Sequence, residues 1–469
     1  MNTTDVNQKV FVVDQLEPEV TAMLQAFYSR SDTSIEDRLS TLGTDSAKIK
    51  ENLKKWYIGY GHSSIADCGD TTLFIENVSI IAAKAIQDDP LYNGQETSTR
   101  YFDFEHRAFV SPFGSTYREL ATVQQRLVDL YARMRPLVLD RIRSAHPFYF
   151  NESSEDSSQM QLKKWENATN ARSFDIVRGL LPAGMTTQLS WKGSLRRISE
   201  RLNTLSDHPC SEISMLAQSV NAQLVERYPS SFKPIAEDSS SLPCPFYDLD
   251  SPCTDLGFEI GALHYSYTNF REFNDSQYYK AFLLNRDRKT QVPNFFNFYG
   301  QFQFEFLLDY GSFRDIQRHR NGLTPLPMLG AYSINGVPNM FHPWYLEQLG
   351  DLREEVESEL SEIYSTIDEV LLECAALNLD MHVAHAQMQY YYPMGTIVPV
   401  SVIYGLAEAI YVSELRTQAT VHPTLRVVAH GIAEAVKEVF PDIALHIDKS
   451  EDGFVLRRGS QDIFEQTGV

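Results

Sequence analysis

Apolar residues recur along this chain at two periods, and the switch from one to the other marks its elements. Phe302, Phe304 and Phe306 alternate with Gln303 and Glu305, the period of a half-buried strand. Tyr310, Phe313 and Ile316 then share a face of a helix that Asp309 can cap, so Arg318-His319-Arg320 falls at its C-terminal end. The same succession occurs earlier. TTLFIENVS (71–79) reads as a strand, Ser79 as an N-cap, and IIAAKAIQ as a short helix that Pro90 ends. A strand KVFVV and a helix are expected within 8–30, and a further helix over 44–58. Leu120, Val123, Leu127, Leu130, Tyr131 and Met134 predict a long helix over 115–143, kinked at Pro136. Leu346, Leu349, Val356, Leu360, Ile363, Ile367 and Val370 predict another over 345–378.

These parts come twice in the same order. LPAGMTT (181–187) answers YPMGT (392–396), and His208-Pro209 answers His422-Pro423. The pattern reads as a diverged tandem duplication. The stretch 229–255, rich in Pro, Ser and Asp and without periodicity, reads as the linker between domains 1–228 and 256–469. Each domain is expected to be of the α/β class, α+β in type, a small sheet with long packed helices.

Composition narrows the function. The net charge of −21 opposes general binding to nucleic acid or to an anionic membrane, and makes any local cluster of arginines stand out. No apolar run approaches the roughly 20 residues of a membrane span. No basic region leads into an apolar stretch at the N-terminus, so no signal peptide is expected. Five scattered cysteines without a CxxC argue against a disulfide framework or a zinc site, and a reducing cytoplasm fits them. No HExxH, GxGxxG or GxxxxGK[ST] motif occurs, and no metal site is expected. Arg318-His319-Arg320 admits two readings. One is a fork of donors for an anionic ligand such as a pyrophosphate. The other is a helix end whose partial negative charge simply favours cations.

The stretch GHSSIADCGDTTLFIENVSIIAAKAIQDDPLYNGQETSTRY (61–101) resembles the flavin-dependent thymidylate synthases, the ThyX family. Gly61, His62 and Ser64 match the opening of that family's signature, Glu76, Val78 and Ser79 its strand end, and Glu96, Ser98, Arg100 and Tyr101 its loop. Asp88-Asp89-Pro90 stands where the family has RHR. Two carboxylates at a helix C-terminus would repel a phosphate. The second half departs in the complementary way. It keeps Arg318, His319 and Arg320, but Leu326, Met328 and Gly330 stand where Glu, Ser and Arg are expected. ELR (414–416) resembles the family's C-terminal arginine motif.

The resemblance implies a division of labour. Glu96, Ser98, Arg100 and Arg416 would bind the substrate. His62, Ser64, Arg318, His319, Arg320 and His422 would bind the cofactor. It further implies FAD, with NADPH and methylenetetrahydrofolate as cosubstrates, and transfer of a one-carbon unit to C5 of dUMP without a cysteine nucleophile. The family's sites lie between protomers of a homotetramer, so a homodimer of tandem chains would imitate it, with two complete and two decayed sites. Asp315 stands where the family usually has Gln near the pyrimidine. That keeps C5 modification of another pyrimidine nucleotide open, and a non-catalytic nucleotide-binding or assembly homologue is the further alternative.

Overall fold

Each half of the chain is built on a strand that runs straight into a capped helix. In the computed structural model, residues 9–460 are described apart from 32, 43–62, 115, 155, 236–253, 258, 272–276, 335–336 and 339. The first half holds α1 (Pro18–Tyr28), α2 (Ile35–Leu42), β1 (Asp70–Ser79), α3 (Ile80–Gln87), α4 (Arg118–Ala145), α5 (Ser158–Val177), β2 (Thr186–Ser194), α6 (Leu195–Ser206) and α7 (Ser211–Arg227). The second opens with β3 (Thr254–Leu256), β4 (Leu263–Asn269), α8 (Gln277–Asn285), β5 (Gly300–Asp309) and α9 (Tyr310–Ile316). It continues with β6 (Tyr332–Ile334), β7 (Val337–Pro338), α10 (Pro343–Leu349), α11 (Arg353–Ala376), α12 (Met381–Met388), β8 (Ile397–Gly405), α13 (Leu406–Arg416) and α14 (Pro423–Val439). Long helices beside small separate sheets make the class α+β. The sheets are β1-β2, β3-β6-β7, and an antiparallel β4-β5-β8.

The caps form as the sequence predicts. Ser79 accepts a hydrogen bond from the Ala82 amide, and Asp309 from the Ser312 amide. Other expectations need correction. KVFVV forms no strand. Val10 and Val12 are almost fully exposed, and no described strand pairs with them. The helix expected over 345–378 is two helices, because Gly350 takes φ +57 and breaks the ladder between α10 and α11. Pro136 lies inside α4 without ending it. The helix expected over 44–58 lies outside the described residues, as does most of the 229–255 stretch, whose end forms β3.

The chain divides into two compact units that do not follow its halves. One comprises residues 1–75, 91–95 and 190–244. Its core gathers Val20, Ala22, Met23, Ala26 and Ile65. The other comprises 76–90, 96–189 and 245–469, and so takes its elements from both halves.

At the centre of this second unit the two Pro-Gly turns pair with each other. Ala183 N donates to Tyr392 O and Met394 N to Leu181 O, both at 2.9 Å. Gly184 N donates to Tyr390 O at 2.9 Å, and Gly395 N to Gly179 O at 2.7 Å. Each bond is answered by its counterpart in the other repeat, which is the signature of a local two-fold. The starts of the helices repeat it: Ile80 N bonds Met185 O and Tyr310 N bonds Thr396 O, each at 3.0 Å. The loop register is equally clear. Asn93 bridges Lys192, and Leu323 bridges Ile403. Counting on from these bridges, Leu326, Met328 and Gly330 take the places of Glu96, Ser98 and Arg100.

The second loop is packed shut. Leu326 and Met328 are buried, and Gly330 sits at φ +82 against the Tyr392 ring, where a Cβ would lie 2.0 Å from a ring carbon. Gly330→Ala is therefore expected to lower unfolding stability by about 3 kcal/mol, from backbone strain plus overpacking, as read by chemical denaturation. A change within about 0.5 kcal/mol would contradict this packing.

Candidate functional site

Helices α3 and α9 each present one cation at the same place, Lys84 and Arg314, and both reach Glu96. Lys84 Nζ lies 2.9 Å from Glu96 Oε2, and Arg314 pairs with Oε1. Gln87 donates to Oε2 at 2.9 Å, and Arg314 also donates to Thr99 Oγ1 at 3.0 Å. The Glu96 side chain is 2% exposed. Burial would raise its pKa, but Arg314 and Lys84 outweigh burial and hold it down to about 2. Burial pushes Lys84 down to about 7, against the pull of Glu96. Glu96, expected at the substrate, thus spends both oxygens on fastening the 96–100 loop to the two helices.

Four residues on, Arg100 leaves the loop. Its Nε and one terminal nitrogen form a two-point bond with the Asp175 carboxylate, at 2.7 and 3.0 Å, and the same nitrogen donates to Thr420 O at 3.0 Å. Ser98 is half-buried, and its Oγ accepts from the Arg100 amide at 3.2 Å.

From the C-terminal half come Asp315, the arginine triplet and Arg416. His319 is enclosed. Its Nε2 lies 2.8 Å from Arg416 Nε and its Nδ1 3.0 Å from Glu408 Oε1. A guanidinium only donates, so Nε2 must accept and Nδ1–H must face the carboxylate. Burial lowers the pKa of His319, more than the Glu408 bond raises it, and the ring is neutral at pH 7. Arg416 also donates to the Asp315 carbonyl at 2.7 Å. Arg318 is exposed, with its Nε 3.9 Å from the Asp315 carboxylate, and Arg320 is half-buried. Burial alone would raise Asp315, but Arg318, Arg416, Arg100 and Arg178 together hold it far below the usual carboxylate range. Asp315 is therefore an ionised, acceptor-only group set among arginines from both halves.

Beneath lies a buried polar layer. Asp309 accepts from Thr424 Oγ1 at 2.6 Å and Tyr345 Oη at 2.7 Å, while Arg178 donates to Ser312 Oγ at 2.8 Å. His422 lies fully buried there. Its Nδ1 is 2.8 Å from Thr424 Oγ1, and its Nε2 donates to the Asp175 carbonyl at 3.2 Å. Burial pushes its pKa down to about 3, so it too is neutral. His422, expected at the cofactor, is buried within this layer. His62 lies outside the described residues, and Ser64, exposed, belongs to the other unit. The structure brings together Glu96, Ser98, Arg100, Arg318, His319, Arg320 and Arg416 in one unit.

A cavity of about 650 Å³ opens beside the triplet. Asn321, Glu408, Tyr411, Arg288, Lys289 and Asn294 are among the residues that line it. The surrounding cations outnumber the carboxylates Glu96, Asp175, Asp309, Asp315, Glu408 and Glu414, although the whole chain is acidic. Such a site suits a phosphorylated ligand. No group of metal-ligating side chains occurs among the described residues, and none of the described helices is long and apolar enough to cross a membrane. Sequence reading missed Lys84, Asp175, Arg178, Arg314 and Arg458. Lys84 and Arg314 carry a signal in retrospect, since each stands five positions after its helix cap.

Residues 12–230 match the family model described as Thymidylate synthase complementing protein. A UPF0159 protein of Thermoplasma acidophilum is 25% identical, with 90% of this chain and 93% of the relative covered. A UPF0159 protein of Chlamydia pneumoniae is 23% identical, with 93% and 91% covered. Among solved structures, Thymidylate Synthase X (ThyX) from Helicobacter pylori with FAD and dUMP is 17% identical at a TM-score of 0.27, covering 47% of this chain and 94% of that one.

Glu96→Gln leaves Lys84 and Arg314 without their carboxylate, and is expected to cost about 3–5 kcal/mol at pH 7. The folded pKa of Glu96 lies below its ordinary value of 4.5, so its contribution is complete above that pH and lost as pH falls towards about 2. In urea titrations, the gap between wild type and Glu96→Gln should shrink across that window. A constant gap would contradict the assignment.

Proposed function

We propose that the chain, whose residues 12–230 match the family model described as Thymidylate synthase complementing protein, is a flavin-dependent thymidylate synthase-like enzyme. Its substrate is dUMP, which receives at C5 a one-carbon unit from methylenetetrahydrofolate, with FAD and NADPH providing the reduction. The observation that carries this reading is the Glu96–Arg314 pair, which fastens the 96–100 loop to α9, the helix that leads into Arg318 and His319, inside one unit. Each half supplies what the other lacks.

Arg100 and Ser98 hold the nucleotide phosphate, as a charged donor and a hydroxyl. Arg416 stands between His319 and Asp315, where it orients and polarises the pyrimidine. Fixed donors of this kind act before the reaction begins and need no reorganisation. No thiol is used. Cys210 and Cys374 are buried, and burial together with Asp67 and Asp70 raises the Cys68 thiol.

The residues beside the triplet fit a flavin dinucleotide. Arg318 is exposed and so open to a phosphate, and the cavity next to Asn321 is lined by Tyr411, Arg288 and Lys289. Bound there, FAD would supply hydride chemistry, while burial keeps His319 neutral and Glu408 fixes it in its Nδ1–H form. Two such chains would reproduce the four-domain assembly that the resemblance implies, and a cytoplasmic setting suits the substrates. A second reading rests on Asp315, whose ionised carboxylate accepts hydrogen bonds and so also suits the amino edge of a cytosine nucleotide.

The purified protein should show a flavin absorption spectrum that dUMP perturbs. A protein with no flavin and no affinity for added FAD would overturn the reading. Incubation with dUMP, dCMP and UMP, followed by product analysis, decides the base. Arg100→Ala should weaken dUMP binding ~10–100-fold, the loss of one or two charge-assisted hydrogen bonds. Mixing Arg100→Ala chains with Arg318→Ala chains should restore no activity, because one chain supplies both groups. Restoration would place the sites between chains.

A further inference from the structure

The residue that fixes Arg100 from behind lies near the far end of the chain, outside the matched family region. Arg458 belongs to a single turn at Leu456–Ser460 and is 6% exposed. Its two terminal nitrogens both bond the Asp175 carboxylate, one of them at 2.8 Å. Arg100 grips the same carboxylate from the other side. The Arg458 guanidinium also lies 5.3 Å from the centre of the Tyr101 ring, next to Arg100 in the loop. One buried carboxylate thus joins the loop to the C-terminal turn.

The turn has little freedom to sit elsewhere. Gly459 lies flush against α5, where a Cβ would stand 1.9 Å from the Lys164 carbonyl oxygen. No larger residue fits without lifting Arg458 off Asp175. Four charge-assisted hydrogen bonds, two from each guanidinium, offset the desolvation of the Asp175 carboxylate. Asp175 is accordingly held well below the usual carboxylate range: burial would raise it, but Arg100 and Arg458 outweigh burial.

We propose that Arg458 is a positioning residue, and that the Leu456–Ser460 turn latches Asp175 so that Asp175 presents Arg100 to the phosphate of the substrate. This rests on the reading of Arg100 as the phosphate-binding group. The latch contributes no atom to the ligand. It removes the alternative rotamers of Arg100 and the alternative courses of the 98–102 backbone, and so lowers the entropy lost on binding.

The test uses the full-length protein in two arms. Hydrogen exchange reads the Arg100, Tyr101 and Phe102 amides without any ligand, and equilibrium dialysis reads dUMP affinity. Arg458→Ala should speed exchange of those amides and weaken dUMP binding about tenfold, the worth of one positioning bond. Arg458→Lys should fall between, since an ammonium cannot make the two-point bond. Gly459→Val should match Arg458→Ala. Arg458→Ala added to Arg100→Ala should weaken dUMP binding no further, an outcome that a merely stabilising residue would not give. Unchanged loop exchange in Arg458→Ala, or losses that multiply in the double variant, would overturn the proposal. Should Arg458→Ala fail to fold, wild-type loop exchange in both Arg458→Lys and Gly459→Val would overturn it equally. Faster loop exchange in a protein that binds no dUMP would support the latch and count against the proposed substrate.

Discussion

Everything at the site depends on the reciprocal backbone pairing of two Pro-Gly turns, Leu181-Pro182-Ala183 against Tyr392-Pro393-Met394. Backbone groups buried at this depth must find partners, and here each repeat finds them in the other. That pairing sets α3 and α9 about one local two-fold and so puts Lys84 and Arg314 on opposite sides of Glu96. In a symmetric assembly two copies of this arrangement would have to be alike. A single chain carrying both copies is free of that constraint, and its two loops differ. One keeps polar groups over the arginines, and the other is closed by Leu326, Met328 and the Tyr392 ring against Gly330.

The site shows how an acidic protein can hold a concentrated patch of arginines. Left unpaired, buried guanidiniums would cost several kcal/mol each. Here four of them are tied to carboxylates: Arg314 to Glu96, Arg178 to Asp309, and Arg100 and Arg458 to Asp175. Arg318 alone of the triplet stands well exposed. The neutral histidines complete the pattern. His319 and His422 carry no charge in a place already rich in cations, and each is locked in one tautomer by a fixed donor or acceptor.

Much of this was legible in the residues. The strand-to-helix step and both caps follow from alternation and from Ser79 and Asp309. The reciprocal losses at Asp88-Asp89-Pro90 and at Leu326, Met328 and Gly330 identified the two halves as complementary. What sequence order could not reveal was proximity. Asp175 and Arg458 are separated by most of the second repeat, and no periodic pattern connects a buried carboxylate to a tail arginine. His422 illustrates the reverse. Its neighbour Pro423 and its place in the repeat drew attention to it, but burial among Thr424, Ser312 and Asp175 sets its part. KVFVV had the composition of a strand and lacked a partner, which is what a strand needs.

The central claim is that one chain, through both of its halves, builds one composite site. Counting ligands per chain tests it most directly. Titration of the purified protein with FAD and then with dUMP, followed by absorption and by calorimetry, should saturate at one of each per chain. Two of each per chain would mean that both repeats keep a working site, and one per two chains would mean that the site needs a second copy. Either result would contradict the account.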